Sequence, residues 1–428
     1  MLRTTFLYHV FDDAVFNGRA PLASASIPVM PLGSGAKIPR LMYSLRGDMA
    51  KLRQIGVQKG IVDAGVTEVG KSAEGRDLLA LKLGKGASHK VLVLGCHHAR
   101  EWISVEMAYY IAEYLITAYV DPPTNDKEKR IKHLLMNREI WFVPMVNPDG
   151  HVRTISHERM WRQNNHTHAV PAGSVKRGVK TVSWLAGSYT GVDINRNYAV
   201  QASATPSGGK SFLAWGTETF SGGSVMTSRN PQDSDVLHQV WCGPSAASEP
   251  ETNAIQALIQ KHSFRSTISF HNYGEQWLWP GPLTTGSGDG YVDWVGRGAV
   301  KVMATVQNGP AQPPAQLHGY TFTGGPNPYL TSGDMIDFVY QSVPAWRPAF
   351  TPEVRPADDS KGWEFSGLPE SEIENCFKEN LGATLAVINC AGHDAKAELQ
   401  SLNTATGLPP QRCQFVRHCW EVFSGWTV

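Results

Sequence analysis

The sequence predicts an α/β protein in which a sheet is covered by helices on both faces. Two observations carry this. Short apolar runs of strand length, such as Val91–Leu94 and the segment from Glu139 to Met145, are continuous rather than alternating. Strands of that kind are buried on both sides. Between such runs lie stretches where apolar residues recur at three- and four-residue steps, the spacing of one helix face. Strands alternating with helices build a layered sheet.

Taken in order, residues 1–41 are rich in Ala, Ser, Pro and Gly without a period and read as an N-terminal extension. The main domain is expected over 42–392, and 393–428 reads as an appended tail. A helical pattern runs from Met42 to Gly60. Val66–Gly70 and Asp77–Leu83 read as strands joined by a turn over 71–76. The strand at Val91–Leu94 is followed by a helix through Val105, Ala108, Ile111, Ala112, Leu115 and Ile116, ending near Asp121-Pro122-Pro123. The strand from Glu139 ends in Asn147-Pro148-Asp149-Gly150, a strong turn signal. Residues 163–248, mostly Gly, Ser, Thr, Asn and aromatic, read as a long loop region, and loops of that length are usually functional. Glu249-Pro250-Glu251 opens a helix with Thr252–His262 as its body. A strand at Thr267–Phe270, a helix at Val292–Gln307, a strand at Trp346–Val354 and a long helix from Pro369 to Ala391 complete the domain.

Composition sets the limits. With 428 residues, 42% hydrophobic and 18% charged, the chain can bury one large core or two modest ones. A formal net charge of +1 gives no electrostatic reason to expect nucleic acid or an anionic membrane. No apolar run approaches the ~20 residues of a membrane span. Asp12 and Asp13 interrupt the short apolar start, which makes a poor secretory signal. Cytoplasmic and secreted locations both stay open. The six cysteines (Cys96, Cys242, Cys376, Cys390, Cys413 and Cys419) are too sparse for a disulfide scaffold. Cys376 and Cys390 read as buried thiols, whereas Cys413 and Cys419 could pair. The sequon Asn165-His166-Thr167 matters only outside the cell.

The chemistry centres on His98 and Glu101, three apart where a strand hands over to a helix. An imidazole and a carboxylate turned toward one point suit zinc, which takes nitrogen and oxygen ligands. A chance His-x-x-Glu on a surface turn is the competing reading of the pair alone. The search for a third ligand stops at His271, which follows another strand. In open α/β sheets, ligands gather at the carboxyl ends of strands. His151, His157, His166 and His168 lie in sequence without strands feeding them and read as solvated surface.

The blocks HHAREW, NPDGH, RMWRQNN, GVDINRNY, ISFHNY and PYLTSGDMIDF resemble, in order, those of the zinc metallocarboxypeptidases of the carboxypeptidase A/B type. They span about Tyr43 to Ala391. The resemblance implies a three-layer α/β/α fold with a mixed, mostly parallel twisted sheet, and hydrolysis of C-terminal peptide bonds. It implies one Zn2+ held by His98, Glu101 and His271, with Asp193 orienting His98. Arg162 would stabilise the oxyanion, and Glu353 would be the general base. Arg100, Arg159, Asn195, Arg196, Tyr273 and Tyr329 would bind substrate, with Asn195, Arg196 and Tyr329 reading the terminal carboxylate. Peptide or protein C-termini would be the partners of what is expected to be a monomer.

Residue chemistry agrees with those roles. Peptide hydrolysis needs an activated water, a carboxylate to carry its proton, and fixed positive charge at the developing oxyanion. A guanidinium fork suits a terminal carboxylate. Aligning on Tyr329 puts Ile336 at the base of the specificity pocket, which favours apolar or aromatic C-terminal residues. Asp334 at the pocket wall could also admit Lys or Arg, or could simply cap a turn. Pro352 should make the strand carrying Glu353 irregular or an edge. An insertion is expected around Val343–Pro348, and the region before Tyr43 is shorter than an inhibitory pro-domain. Two rivals are an inactive peptide-binding relative, which should lack a ligand or the base, and an amidohydrolase of related fold, which should lack the carboxylate-reading set.

Overall fold

The computed structural model describes residues 40, 42–62, 66–86, 88–177, 179–202, 213–220, 223–233, 235–279, 331–342, 349–356 and 370–391. In chain order the elements are α1 (Met42–Gln58), β1 (Thr67–Lys71), β2 (Asp77–Leu83), β3 (Lys90–Leu94), α2 (Trp102–Ala118), α3 (Asp126–Asn137), β4 (Glu139–Val143) and α4 (Pro148–Ser156). Small strands follow: β5 (Thr167–Val170), β6 (Gly173–Arg177), β7 (Lys180–Trp184), β8 (Gly187–Thr190), β9 (Thr219–Phe220) and β10 (Gly223–Ser224). Then come α5 (Asp235–His238), α6 (Pro250–His262), β11 (Ser266–Ser269), β12 (His271–Asn272), β13 (Gln276–Leu278), α7 (Met335–Ser342), β14 (Ala349–Val354) and α8 (Glu370–Cys390).

Eight strands form one sheet in the order β1-β2-β4-β3-β11-β14-β12, with β13 on β14. The pairs β3–β4, β3–β11, β11–β14 and β12–β14 are parallel, and β1–β2, β2–β4 and β13–β14 are antiparallel. The mixed sheet is therefore mostly parallel at its centre. Successive side chains of a strand point to opposite faces, and the two cores divide accordingly. Val91 and Val93 pack with α1, α2, α3 and α8. Leu92 and Leu94 pack with α6 and α7. All four are fully buried, each worth about 1.5–3 kcal/mol in apolar transfer. This is why β3 is continuously apolar: both of its faces are interior.

Local chemistry accounts for the helix ends. Asn147 does not close a turn, as its sequence context suggested; it caps α4, accepting the Gly150 N–H at 3.0 Å, with Pro148 in the first turn. Proline at that position forfeits no helical hydrogen bond. α2 starts directly after Glu101 and is buried nearly all round, as a helix between a sheet and outer helices must be. The 163–248 region is more structured than a loop, because β5 pairs β8 and β6 pairs β7 in antiparallel ladders. Short polar strands of this kind carry no apolar run, so periodicity does not reveal them.

Pro352 falls where β14 leaves its ladder with β11, at Phe350, and joins β12, at Glu353. On that side Pro352 has no register partner, while on the other side of β14 it stands opposite Trp277 of β13. At the N-terminal side, Arg40 is buried and bridges Asp48 at 2.6 Å and Glu106 at 2.8 Å, with its guanidinium 3.6 Å from the Tyr109 ring centroid. Cys96, Cys242 and Cys376 are buried free thiols. Among the described residues no helix is long and apolar enough to cross a membrane. The rest of the N-terminal extension, the helix expected at 292–307, the insertion at 343–348, the tail with Cys413 and Cys419, and Tyr329 lie outside the described residues.

Candidate metal centre and active site

β3 delivers the first two candidate ligands through a tight turn. Gly95 follows the strand, and a Cβ there would lie 2.4 Å from the Ser104 carbonyl oxygen and 2.8 Å from that of Pro144. Only glycine permits that approach. Cys96 then turns at φ +57°, a region disfavoured for residues other than glycine, with its N–H donating to Ser104 Oγ at 2.9 Å. The turn swings His98 and Glu101 under the start of α2.

β11 and β12 bring His271 to the same point. His98 Nδ1 lies 2.6 Å from Glu101 Oε1 and 3.1 Å from His271 Nδ1, and His271 Nδ1 lies 2.9 Å from Glu101 Oε2. All three residues are buried, and their ligand atoms fall within 4.8 Å of one another. Two imidazole nitrogens facing each other beside one carboxylate form a donor set that fits a divalent ion. Burial would raise the Glu101 carboxyl, but His98 and His271 outweigh it and hold it well below the ordinary range. Burial lowers His271, partly offset by Glu101.

A second layer holds these ligands. Asp193, fully buried, approaches His98 Nε2 at 3.3 Å, accepts from Arg162 Nε at 2.9 Å, and accepts the Asn195 N–H at 2.9 Å. Burial alone would raise its carboxyl; Arg162, His98 and Arg196 together hold it well below the ordinary range. Sequence reasoning overlooked a second support. Ser269 Oγ sits 3.3 Å from His271 Nε2 and 2.9 Å from His97 Nδ1, and His97 Nε2 meets the Tyr198 hydroxyl at 2.8 Å. The paired histidines of HHAREW, and a serine two residues before His271 on the same strand face, were the available signals.

Glu353 is the direct register partner of His271 in the β12–β14 pair. Burial pushes its carboxyl well above the ordinary range, reinforced by the nearby Glu101 and offset by Arg162 and Arg196. Arg162 lies 4.0 Å from Glu101 Oε1. Arg100 donates to Met160 O and to Gln239 Oε1, and burial beside Arg162 lowers its guanidinium to about 10. Arg159 stacks on Trp102, 3.1 Å from the ring centroid, and burial next to Arg100 lowers it to about 9. Tyr273 is half-buried near Arg100. Arg196 donates to Met226 O and Asn195 O. Asn195 Oδ1 accepts the Met335 N–H at the start of α7.

Asp334 accepts from Thr331 Oγ1 and, at 2.9 Å, from the Asp337 N–H. Both its oxygens are engaged in starting α7. Ile336 faces the core on the α6 side. The histidines read as solvated surface divide. His157 is exposed, but His151 is buried, its Nε2 3.1 Å from the Arg40 carbonyl. His166 and His168 converge on the buried Glu249. A long-range partner 81 to 83 residues away leaves no trace in local pattern.

A buried His-Glu-His set at the ends of parallel strands in a mixed α/β sheet has the donor set of a mononuclear metal centre. The sequence profile of the zinc carboxypeptidases matches residues 64–383, and the chain belongs to that family. Zinc is the ion the family implies, and the His98–Glu101–His271 set fits it. Similar relatives include carboxypeptidase B of Bos taurus, 28% identical over 322 residues (73% of this chain), and carboxypeptidase A6 of Mus musculus, 28% identical over 347 residues (78% of this chain). The matches span 62% and 63% of those relatives' own length. Among solved structures, bovine thrombin-activatable fibrinolysis inhibitor in complex with tick carboxypeptidase inhibitor has the same fold, with TM-score 0.59 and 22% identity over 82% of this chain and 97% of that one. Carboxypeptidase A from Helicoverpa armigera also aligns, with TM-score 0.58 and 21% identity over 81% of this chain and 72% of that chain.

Proposed function

We propose that this protein is a zinc-dependent carboxypeptidase that removes the C-terminal residue of peptides and proteins. The observation that supports the reading is the register of Glu353 against His271, which pairs the expected base with a candidate ligand on neighbouring strands. His98, Glu101 and His271 hold the ion. When bound, zinc supplies a Lewis acid that polarises the scissile carbonyl and acidifies water. Glu353 takes the proton of the attacking water and passes it to the leaving amine. Arg162, held by Asp193, faces the carbonyl oxygen as negative charge develops there, a contribution of roughly 10²–10³ in rate.

Arg196, the side-chain amide N–H2 of Asn195, and Tyr329 read the free terminal carboxylate, with Arg100, Arg159 and Tyr273 lining the path of the chain. The presence of all three ligands and the base weighs against an inactive relative, and Asn195-Arg196 weighs against an amidohydrolase. The C-terminal residue preferred is apolar or aromatic. The engagement of Asp334 in capping α7 supports this over a basic preference.

The test compares blocked peptides ending in free Phe, Phe-amide and free Arg, with and without a zinc chelator. Cleavage of the Phe acid, absent for the amide, lost on chelation and restored by zinc, is expected. Equal cleavage of acid and amide would remove the carboxylate-reading role. Faster cleavage after Arg would return Asp334 to the specificity pocket.

A further inference from the structure

A second cluster of metal-ligand type lies outside this centre. His166 Nδ1 is 2.9 Å from Glu249 Oε2, and His168 Nε2 is 2.8 Å from Glu249 Oε1. The three ligand atoms lie within 4.8 Å of one another. His168 lies in β5 and His166 just precedes it, and their ring centroids are 4.0 Å apart. Glu249 is completely buried just before α6, whereas the His166 side chain is 33% exposed. The cluster therefore has a fixed inner ligand and a solvent-facing side.

We propose that His166, His168 and Glu249 form a second divalent-metal site, taking zinc through two imidazole nitrogens and one carboxylate oxygen, with solvent as the fourth ligand. The donor set is that of a zinc centre, whose ligand atoms in tetrahedral geometry stand roughly 3.3 Å apart. Each imidazole nitrogen contacts a different Glu249 oxygen, at 2.9 and 2.8 Å, and a bound ion replaces these contacts with bonds to both nitrogens and one of the oxygens. Ser248 Oγ donates to Glu249 Oε1 at 2.6 Å and Asn164 Nδ2 to Oε2 at 2.7 Å. Such outer hydrogen bonds orient ligating carboxylates.

The site braces the catalytic loop. The 162–168 segment carries Arg162 and is laced to the segment carrying Asp193: Asn164 N donates to Val192 O, Gly191 N donates to His166 O, and Val192 N donates to Asn164 Oδ1. An ion bound between β5 and the start of α6 fixes that loop to the domain at a point four residues from Arg162. The assignment does not depend on the role of the first centre.

The experiment strips the full chain with a chelator, reloads it with zinc, removes free ion by gel filtration and counts bound zinc. Wild type is expected to hold two equivalents. The double variant H166Q/H168Q, whose amides still hydrogen-bond Glu249 but ligate poorly, is expected to hold one. H98Q is expected to retain one, and zinc should raise the Tm of H98Q but not of H98Q/H166Q/H168Q. If H166Q/H168Q does not fold, the retained equivalent and zinc-dependent Tm of H98Q decide. One equivalent in wild type with none in H98Q would overturn the second site, leaving a purely hydrogen-bonded cluster. Loss of an equivalent in H166Q/H168Q with no change in H98Q would instead sink the first centre and keep the second.

Discussion

Replacing Asp193 with Asn tests whether the second layer of the metal centre tunes its ligands. The substitution keeps the volume and one acceptor oxygen for the Asn195 N–H, but removes the charge that faces Arg162 Nε at 2.9 Å and His98 Nε2 at 3.3 Å. Deleting one member of a fully buried ion pair costs about 3–5 kcal/mol. The Arg162 side chain retains 12% exposure and can recover some hydration, so the lower end, about 3 kcal/mol of folding stability, is expected. Loss of a carboxylate behind a ligating histidine typically weakens metal binding ~10–100-fold, or about 1.4–2.7 kcal/mol. The assay is competition for zinc against a chromophoric chelator, paired with urea denaturation of the zinc-free protein. A zinc affinity within twofold of wild type would refute the argument that Asp193 orients His98, whatever happened to stability.

Two further outcomes follow from the same geometry. Glu353→Gln cannot carry a proton but leaves the three ligands intact, so kcat should fall ~10²–10⁴-fold at unchanged zinc affinity; a loss below tenfold would remove Glu353 as the base. Glu113 is buried on α2, and its Oε2 lacks a hydrogen-bond partner. Burial, against the opposing pull of Arg40, raises its carboxyl from 4.5 to about 7. A raised folded-state value means the native protein holds the proton more tightly. Its contribution is complete below the unfolded value and is lost as pH rises through about 7, a swing of about 3 kcal/mol. Urea midpoints of wild type should therefore fall relative to Glu113→Gln between pH 5 and 8, and parallel profiles would place Glu113 in water.

What the sequence by itself determined is what local pattern encodes. The apolar run at Val91–Leu94 marks a strand buried on both faces because each side chain, taken alternately, meets one of two cores. Hence His98, Glu101 and His271 are legible as residues at strand ends, and their convergence follows from parallel pairing of β3 with β11. The Asn147-Pro148 pair was legible as punctuation, but its use as a helix cap depended on where the chain went next. Tertiary structure alone decided the partners. His97, Ser269 and Tyr198 meet from three separated segments. Arg40 is locked by Glu106, 66 residues away. His166 and His168, polar residues in and just before a short strand, become a cluster only because Glu249 arrives from the start of α6. Periodicity records which face of an element is buried. It does not record which distant polar group a buried donor or acceptor must find, and that pairing is set by sheet register and loop path.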